Sequence, residues 1–254
     1  MGMKQILVMM AAVVGLSVMA DEIVIKDRVL SDELAARMKK PYGKLVPLPK
    51  FTKAELEGVT FLSLNGTKIT GAGLEELAKL QNLEWLLLGN TRITDEGLKE
   101  VAKLQKLEFL DLSKTQITTI KDVAKLEKLN KLILTGTKIT KLDLEEAKLR
   151  RLEGLYLGDT KITNAGLKDV AKLQLLKELN LEKTKITNAG LKNVSKLFRL
   201  EKLWLNGTKI TDESLNELVK LDRLQVLYLF NTKISKAGVA EFKKALPNCE
   251  IIGP

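Results

Sequence analysis

The chain repeats itself. LEWLLLGNTRITDEGLKEVAKLQK is followed by LEFLDLSKTQITTIKDVAKLEK, and eight such units succeed one another. Eight Thr residues mark the period: Thr67, Thr91, Thr115, Thr137, Thr160, Thr184, Thr208 and Thr232, spaced 24, 24, 22, 23, 24, 24 and 24 residues apart. Self-similarity at this period dictates a solenoid, because each unit is one supersecondary element that can bury its apolar face only against its neighbours. The apolar rows keep strict register. One Leu row runs Leu62, Leu86, Leu110, Leu132, Leu155, Leu179, Leu203, Leu227; the next lies two residues on, from Leu64 to Leu229. An Ile row follows each Thr by two residues, from Ile69 to Ile234. Alternation of Leu with other residues marks a half-buried strand. Strands one full unit apart must be parallel and about 4.8 Å from their neighbours, with both Leu rows pointing inward.

Most units continue T-[DN]-x-G-L-x-x-[LV]-A-K-L, in which Thr or Asp opens a helix and apolar residues recur at helical spacing, as in Leu98, Val101 and Leu104. Gly73, Gly97, Gly166, Gly190 and Gly238 fall in the first helical turn, where the backbone is expected to crowd the previous coil. Units three and four lack this Gly and are shorter, so their outer segments are expected to be 3₁₀ or irregular. The expected fold is an α/β, right-handed solenoid, with a parallel sheet on the concave face and short helices on the convex face.

The ends depart from the repeat. Lys4, the apolar run Ile6 to Val18 and the small residues Val18 and Ala20 make residues 1–20 a secretory signal peptide by pattern. The run is too short to span a bilayer comfortably, and no Cys follows it to carry a lipid anchor. No membrane span is expected after cleavage, and the protein is expected to be secreted, periplasmic or cell-envelope associated. Residues 21–58 read as an N-terminal cap, with a helix opening at Ser31-Asp32-Glu33 and a second opened by the capping box Thr52/Glu55. The eight repeats occupy residues 59–246. Residues 247–254 read as a C-terminal cap that places Cys249 as a small buried hydrophobe.

Composition narrows the chemistry. The chain has one Cys and no His, which excludes His-based metal sites and both Ser-His-Asp and Cys-His catalysis. No phosphate-cradling Gly-rich loop and no nucleophile-elbow motif is present. Glu75-Glu76 and Glu145-Glu146 sit among lysines on outer segments and read as solvated faces. No enzyme activity, cofactor or metal is expected.

The pattern L-x-x-L-x-L-x-x-T-x-I-T-[DN]-x-G-L-x-x-[LV], over residues 59–251, resembles the leucine-rich repeat superfamily. It is most similar to its ribonuclease-inhibitor-like and F-box-associated type, and to secreted repeat proteins of bacteria such as planctomycetes. Thr stands where most such repeats place Asn after the strand, and its hydroxyl is expected to bond backbone groups of the next coil. The resemblance implies a partner, commonly a protein, held on the concave sheet, and implies no catalysis. No F-box precedes the repeats, so ubiquitin-ligase function is not carried over.

Strand residues between the Leu rows point into the concave face. Seven of the chain's aromatic residues sit at these positions: Phe61, Trp85, Phe109, Tyr156, Trp204, Tyr228 and Phe230. Phe61, Trp85 and Phe109 share a column, with Leu87 beside them. Trp204 and Tyr228 are neighbours in the next column, flanked by Val226 and Phe230, with Tyr156 two repeats away. Polar residues separate the two groups. Aromatic ladders can simply stabilise a sheet, but contiguous exposed rings rimmed by charge also describe a binding hot spot.

The formal charge is +10, from 42 basic and 32 acidic residues. One basic column, Lys68, Arg92, Lys138, Lys161, Lys185, Lys209 and Lys233, follows the Thr ladder, with Gln116 as its gap. A second, from Lys79 to Lys244, lies near helix C-termini, where cations complement the helix dipole; Glu84, Glu108, Glu153 and Glu201 are placed to offset its repulsion. The expected function is a binding scaffold for a protein partner. Binding of an anionic glycan or envelope polymer through the first column, and a passive structural role in the envelope, are the alternatives. No motif supports nucleic-acid binding, and a monomer is expected.

Overall fold

The computed structural model describes residues 22–144 and 149–254. The expected signal peptide, residues 1–20, lies outside them, as do Glu145, Glu146 and Lys148. Nine three-residue strands form one sheet in sequential order, all parallel. They are β3 (Phe61–Ser63), β4 (Trp85–Leu87), β5 (Phe109–Asp111), β6 (Lys131–Ile133), β7 (Gly154–Tyr156), β8 (Glu178–Asn180), β9 (Lys202–Trp204), β10 (Val226–Tyr228) and β11 (Glu250–Ile252). Register is unbroken, Leu on Leu from Leu62 to Leu227 and then Ile251. Both Leu rows are 0% exposed along their whole length, so the expected core is the observed one.

The convex side carries helices at Gly71–Leu77, Asp95–Val101, Leu167–Val170, Asn188–Val194, Leu215–Leu218 and Lys236–Ala245. Unit three has a 3₁₀ turn, Val123–Lys125, and residues 141–144 of unit four form no regular element. Units three and four lack the first-turn Gly and are also shorter; unit seven keeps its full length and, with the buried Ser214 at that position, still forms a 3₁₀ turn, Asp212–Ser214, and the helix Leu215–Leu218. A methyl built on Gly97 would meet Leu74 Cδ1 of the previous coil at 2.5 Å, and one on Gly166 would meet the Thr140 carbonyl at 2.8 Å. At these two contacts the helix lies so close to the previous coil because the side chain is absent.

Ahead of the repeats, β1 (Glu22–Val24) and β2 (Lys50–Thr52) pair antiparallel. The first helix spans Arg28–Arg37, three residues earlier than Ser31 suggested: Asp27 is its N-cap and accepts from Leu30 N at 2.9 Å. Ser31 is inside the helix and fully buried. The capping box is present as expected, with Glu55 N on Thr52 Oγ1 and Thr52 N on Glu55 Oε2. Ile25, Leu30, Leu34 and Phe51 from this segment and Phe242 and Cys249 from the other end share one core with the repeats.

The repeat Thr acts differently from expectation. All eight hydroxyls donate within their own coil, to the carbonyl three residues back, at 2.6–2.8 Å. They close the turn that leaves the strand. The residue just before each Thr explains the need: Gly66, Asn90, Lys114, Gly136, Asp159, Lys183, Gly207 and Asn231 all have φ between 53° and 72°. Side-chain bonds between coils come from other residues, among them those near the start of the helices. Asn164 binds Thr187 of the next coil through both amide atoms (2.8 and 3.0 Å), and Asn188 binds Thr211 likewise. Asp95 accepts from Thr118 N and Oγ1, and Asp212 from Ser235 N and Oγ.

Candidate functional site

Sheet register turns the concave face into straight columns. The first reads Phe61, Trp85, Phe109, Lys131, Gly154, Glu178, Lys202, Val226, Glu250; the second reads Ser63, Leu87, Asp111, Ile133, Tyr156, Asn180, Trp204, Tyr228, Ile252. In the first, Trp85 and Phe109 stack with centroids 4.7 Å apart and planes 3° apart. Phe61 does not join that stack; Arg37, from the helix ahead of the repeats, places its guanidinium 5.2 Å over the ring. Sequence reasoning missed Arg37, since nothing in the repeat pattern ties that helix to the concave face.

In the second column Trp204 stacks on Tyr228 at 5.3 Å and 9°. Tyr156 reaches across Asn180 to within 5.9 Å of Trp204, so three rings form one row. Trp204 and Tyr228 are half-buried rather than substantially exposed, because each ring covers a face of the other. Phe61, Trp85 and Phe230 are the exposed members, at 37%, 44% and 49%. Leu87 and Val226 are half-buried on the same face. Phe230 lies in the third column, where its backbone N–H donates to Asn206 Oδ1 at 2.8 Å. A further exposed ring, Phe198 at 58%, lies away from these columns, on the rim between helix and strand; its position carries Gln174 and Asp222 in the neighbouring units, so no aromatic column announces it.

Between the aromatic groups lies an ionic cluster. Lys131 Nζ is 2.8 Å from Glu178 Oε2, and Tyr156 donates its hydroxyl to the same oxygen. Lys202 Nζ stands 3.7 Å from Glu178 Oε1. Lys131 and Glu178 are two strands apart, and the lysine stem crosses Gly154, where a methyl would meet its Cε at 2.9 Å. Partial burial pulls the Glu178 pKa up, but the bonds from Lys131 and Tyr156 outweigh it and hold the carboxyl below its ordinary range. Burial and the bond to Glu178 push the Tyr156 hydroxyl up. The two aromatic groups are thus joined by a polar bridge in which two lysines share one carboxylate.

The basic columns differ from each other. Lys79, Lys103, Lys125, Lys172, Lys220 and Lys244 each pair with the acid three residues earlier, at 2.6–3.2 Å. The offsetting charge therefore comes from the same helix. Of the four Glu residues expected to supply it, Glu153 alone forms an ion pair among the described residues, with Lys177 of the next unit. The seven residues of the Lys68-to-Lys233 column are all exposed, and none pairs with an acid among the described residues.

Among the described residues no group of three or more His, Cys, Asp or Glu could hold a metal ion, and no helix is long and apolar enough to cross a membrane. A sequence comparison with curated proteins finds no match. Among solved structures, the chain is similar to internalin C2 from Listeria monocytogenes, at 26% identity and a TM-score of 0.76, covering 93% of this chain and 99% of that one. It is also similar in fold to the plant peptide hormone receptor RGFR1 in complex with RGF2, at 19% identity and a TM-score of 0.55, covering 80% of this chain and 33% of the receptor. The family described as leucine-rich repeat region matches residues 63–248. Proteins of this kind generally serve as protein-binding scaffolds. With its unbroken parallel sheet, fully buried Leu rows and a family match over most of its length, the chain belongs to the leucine-rich repeat proteins.

Proposed function

We propose that this protein is a secreted leucine-rich repeat scaffold that holds a protein partner on its concave face, through Phe61, Trp85, Leu87 and Phe109 at one end and Tyr156, Trp204, Val226, Tyr228 and Phe230 at the other. The observation that carries the reading is the pair of stacked rows. Rings on neighbouring strands stack face to face along the sheet, so their edges point into the concave space. A sugar ring needs an open aromatic face. Ring edges are electropositive, and they suit the carbonyl oxygens and apolar side chains of a polypeptide. The signal-peptide pattern of residues 1–20 supports secretion, and residues 21–58 and 247–254 serve as the caps of the array, since each adds side chains to the repeat core.

The test is capture from the extracellular and envelope fractions of the source organism, using the wild type and the Trp204→Ala/Tyr228→Ala variant. Truncating central aromatic anchors commonly costs about 2 kcal/mol or more of binding, so a protein retained by the wild type at moderate salt should be lost by the variant. Equal capture by both removes the concave reading, and no specific capture by either favours a passive role in the envelope.

A further inference from the structure

We propose that the flank marked by the Lys68-to-Lys233 column is a second binding site, separate from the concave face, and that it takes a linear anionic polysaccharide. Three observations carry this. The first is that the column's cations are uncompensated by design of the sequence around them: the other lysine column carries an acid one helical turn earlier in six units, and this one has none among the described residues. Of the acids near the flank, Glu96 pairs with Lys99 and Asp143 with Lys141, Asp95 and Asp212 accept from the Thr and Ser of the next coil, and Asp159, exposed two residues before Lys161, pairs with no cation among the described residues.

The second is the spacing. The backbone N–H of the column residue donates to the Ile carbonyl of the previous coil at 3.0–3.1 Å in units three, four, five, seven and eight (Gln116, Lys138, Lys161, Lys209 and Lys233). The column therefore sits on a second parallel ladder, which sets the backbone of its residues at the inter-strand distance of about 4.8 Å and so the mean spacing of the charges they carry. That is close to the length of one sugar residue in an extended polysaccharide. A line of charge at one per monomer matches a chain that carries one carboxylate or sulfate on each sugar.

The third observation fills the gap. Unit three has Gln116 in the column, but Lys114, two residues earlier, takes the left-handed turn position and is exposed. Lys183 does the same in unit six. Both lysine stems run along the turn toward the next coil, with Cγ 3.2–3.3 Å from where a methyl on Gly136 or Gly207 would stand. All eight units thus present, at the turn where the chain leaves the sheet, at least one cation that pairs with no acid among the described residues. Asp159 is the single acid among the eight left-handed positions. Long-range attraction by such a line is additive and falls with salt.

The experiment measures binding of polygalacturonate to the purified chain by calorimetry at about 20 mM and about 150 mM salt, with dextran as the uncharged control. Three variants decide the outcome: Lys161→Gln/Lys185→Gln/Lys209→Gln/Lys233→Gln in the column; Lys103→Gln/Lys125→Gln/Lys172→Gln/Lys220→Gln among the helix-paired lysines; and Trp204→Ala/Tyr228→Ala on the concave face. The column variant should lose affinity about tenfold or more, with four exposed charge contacts removed. The helix variant, which loses the same formal charge, should stay within about threefold, because its lysines are already neutralised. The concave variant should be unchanged, which separates this site from the protein-binding face. The proposal is overturned if polygalacturonate fails to bind at low salt, if both lysine variants lose affinity equally, or if single-stranded poly(dT) binds the column more tightly than polygalacturonate.

Discussion

Gly190→Ala should destabilise the protein even though it replaces a helical glycine by the best helix former. Gly190 lies in the first turn of Asn188–Val194. A methyl there would meet Asn164 Oδ1 at 2.5 Å, Leu167 Cδ1 at 3.0 Å and Ile186 Cγ2 at 3.1 Å. Asn164 can escape only by giving up its two bonds to Thr187, at about 1 kcal/mol each. Crowding of Leu167 and Ile186 adds about 1 kcal/mol or more, while the gain in helix propensity returns about 1 kcal/mol. The net loss is then about 1–3 kcal/mol. Urea denaturation of wild type, Gly190→Ala, Asn164→Ala and the double variant closes a cycle. In the Asn164→Ala background the Gly190→Ala loss should shrink by about 1–2 kcal/mol, because the polar obstacle is gone. If Gly190→Ala stabilises the protein, as at an open helical site, or if the cycle shows no coupling, the argument that inter-coil crowding selects these glycines is wrong.

Lys183→Gly should raise stability by about 0.5–1 kcal/mol, since a lysine at φ 53° is strained and glycine is not; Lys185→Gly, outside the left-handed position, should lower it, and a thermal melt of both decides. The Glu178 carboxyl has its pKa depressed in the fold, so its stabilising contribution is complete above the ordinary carboxylate range and disappears as pH falls through the depressed value. Glu178→Gln should therefore flatten the acid limb of the stability profile, and an unchanged limb would show that the Lys131–Glu178 contact contributes nothing. Burial pushes the Cys249 thiol up to about 11, so native protein at pH 8 should react with iodoacetamide only at the rate of unfolding; rapid labelling of folded protein would contradict the buried placement.

How much of this was written in the sequence depends on the range of each interaction. The period and the two Leu rows announce parallel strands and a continuous core, because a solenoid repeats every contact at a fixed offset. The aromatic columns were legible for the same reason. Lys131 and Glu178 were not, since their contact skips a unit and depends on the missing side chain of Gly154. The left-handed turn was hidden by its residues: Gly and Asn would signal it, but Lys114 and Lys183 hold the same conformation. Thr hydroxyls were expected to link coils, and that task falls instead to Asn164, Asn188, Asp95 and Asp212, whose sequence positions suggested only helix starts. The exposure of Trp204 was overestimated because stacking across strands buries a ring that alternation alone places in solvent.

The chain has two Trp residues, Trp85 and Trp204, and each belongs to one of the two concave aromatic groups. Tryptophan fluorescence therefore reports the concave face alone, and Trp85→Phe and Trp204→Phe separate its ends. The most direct measurement is iodide quenching of both single-Trp variants, with and without the captured protein partner. A partner seated on the concave face should protect Trp85, which is 44% exposed in the free protein, and Trp204 as well. If the partner binds at full affinity while both tryptophans remain as accessible to iodide as before, binding occurs elsewhere on the solenoid and the concave face is not the site.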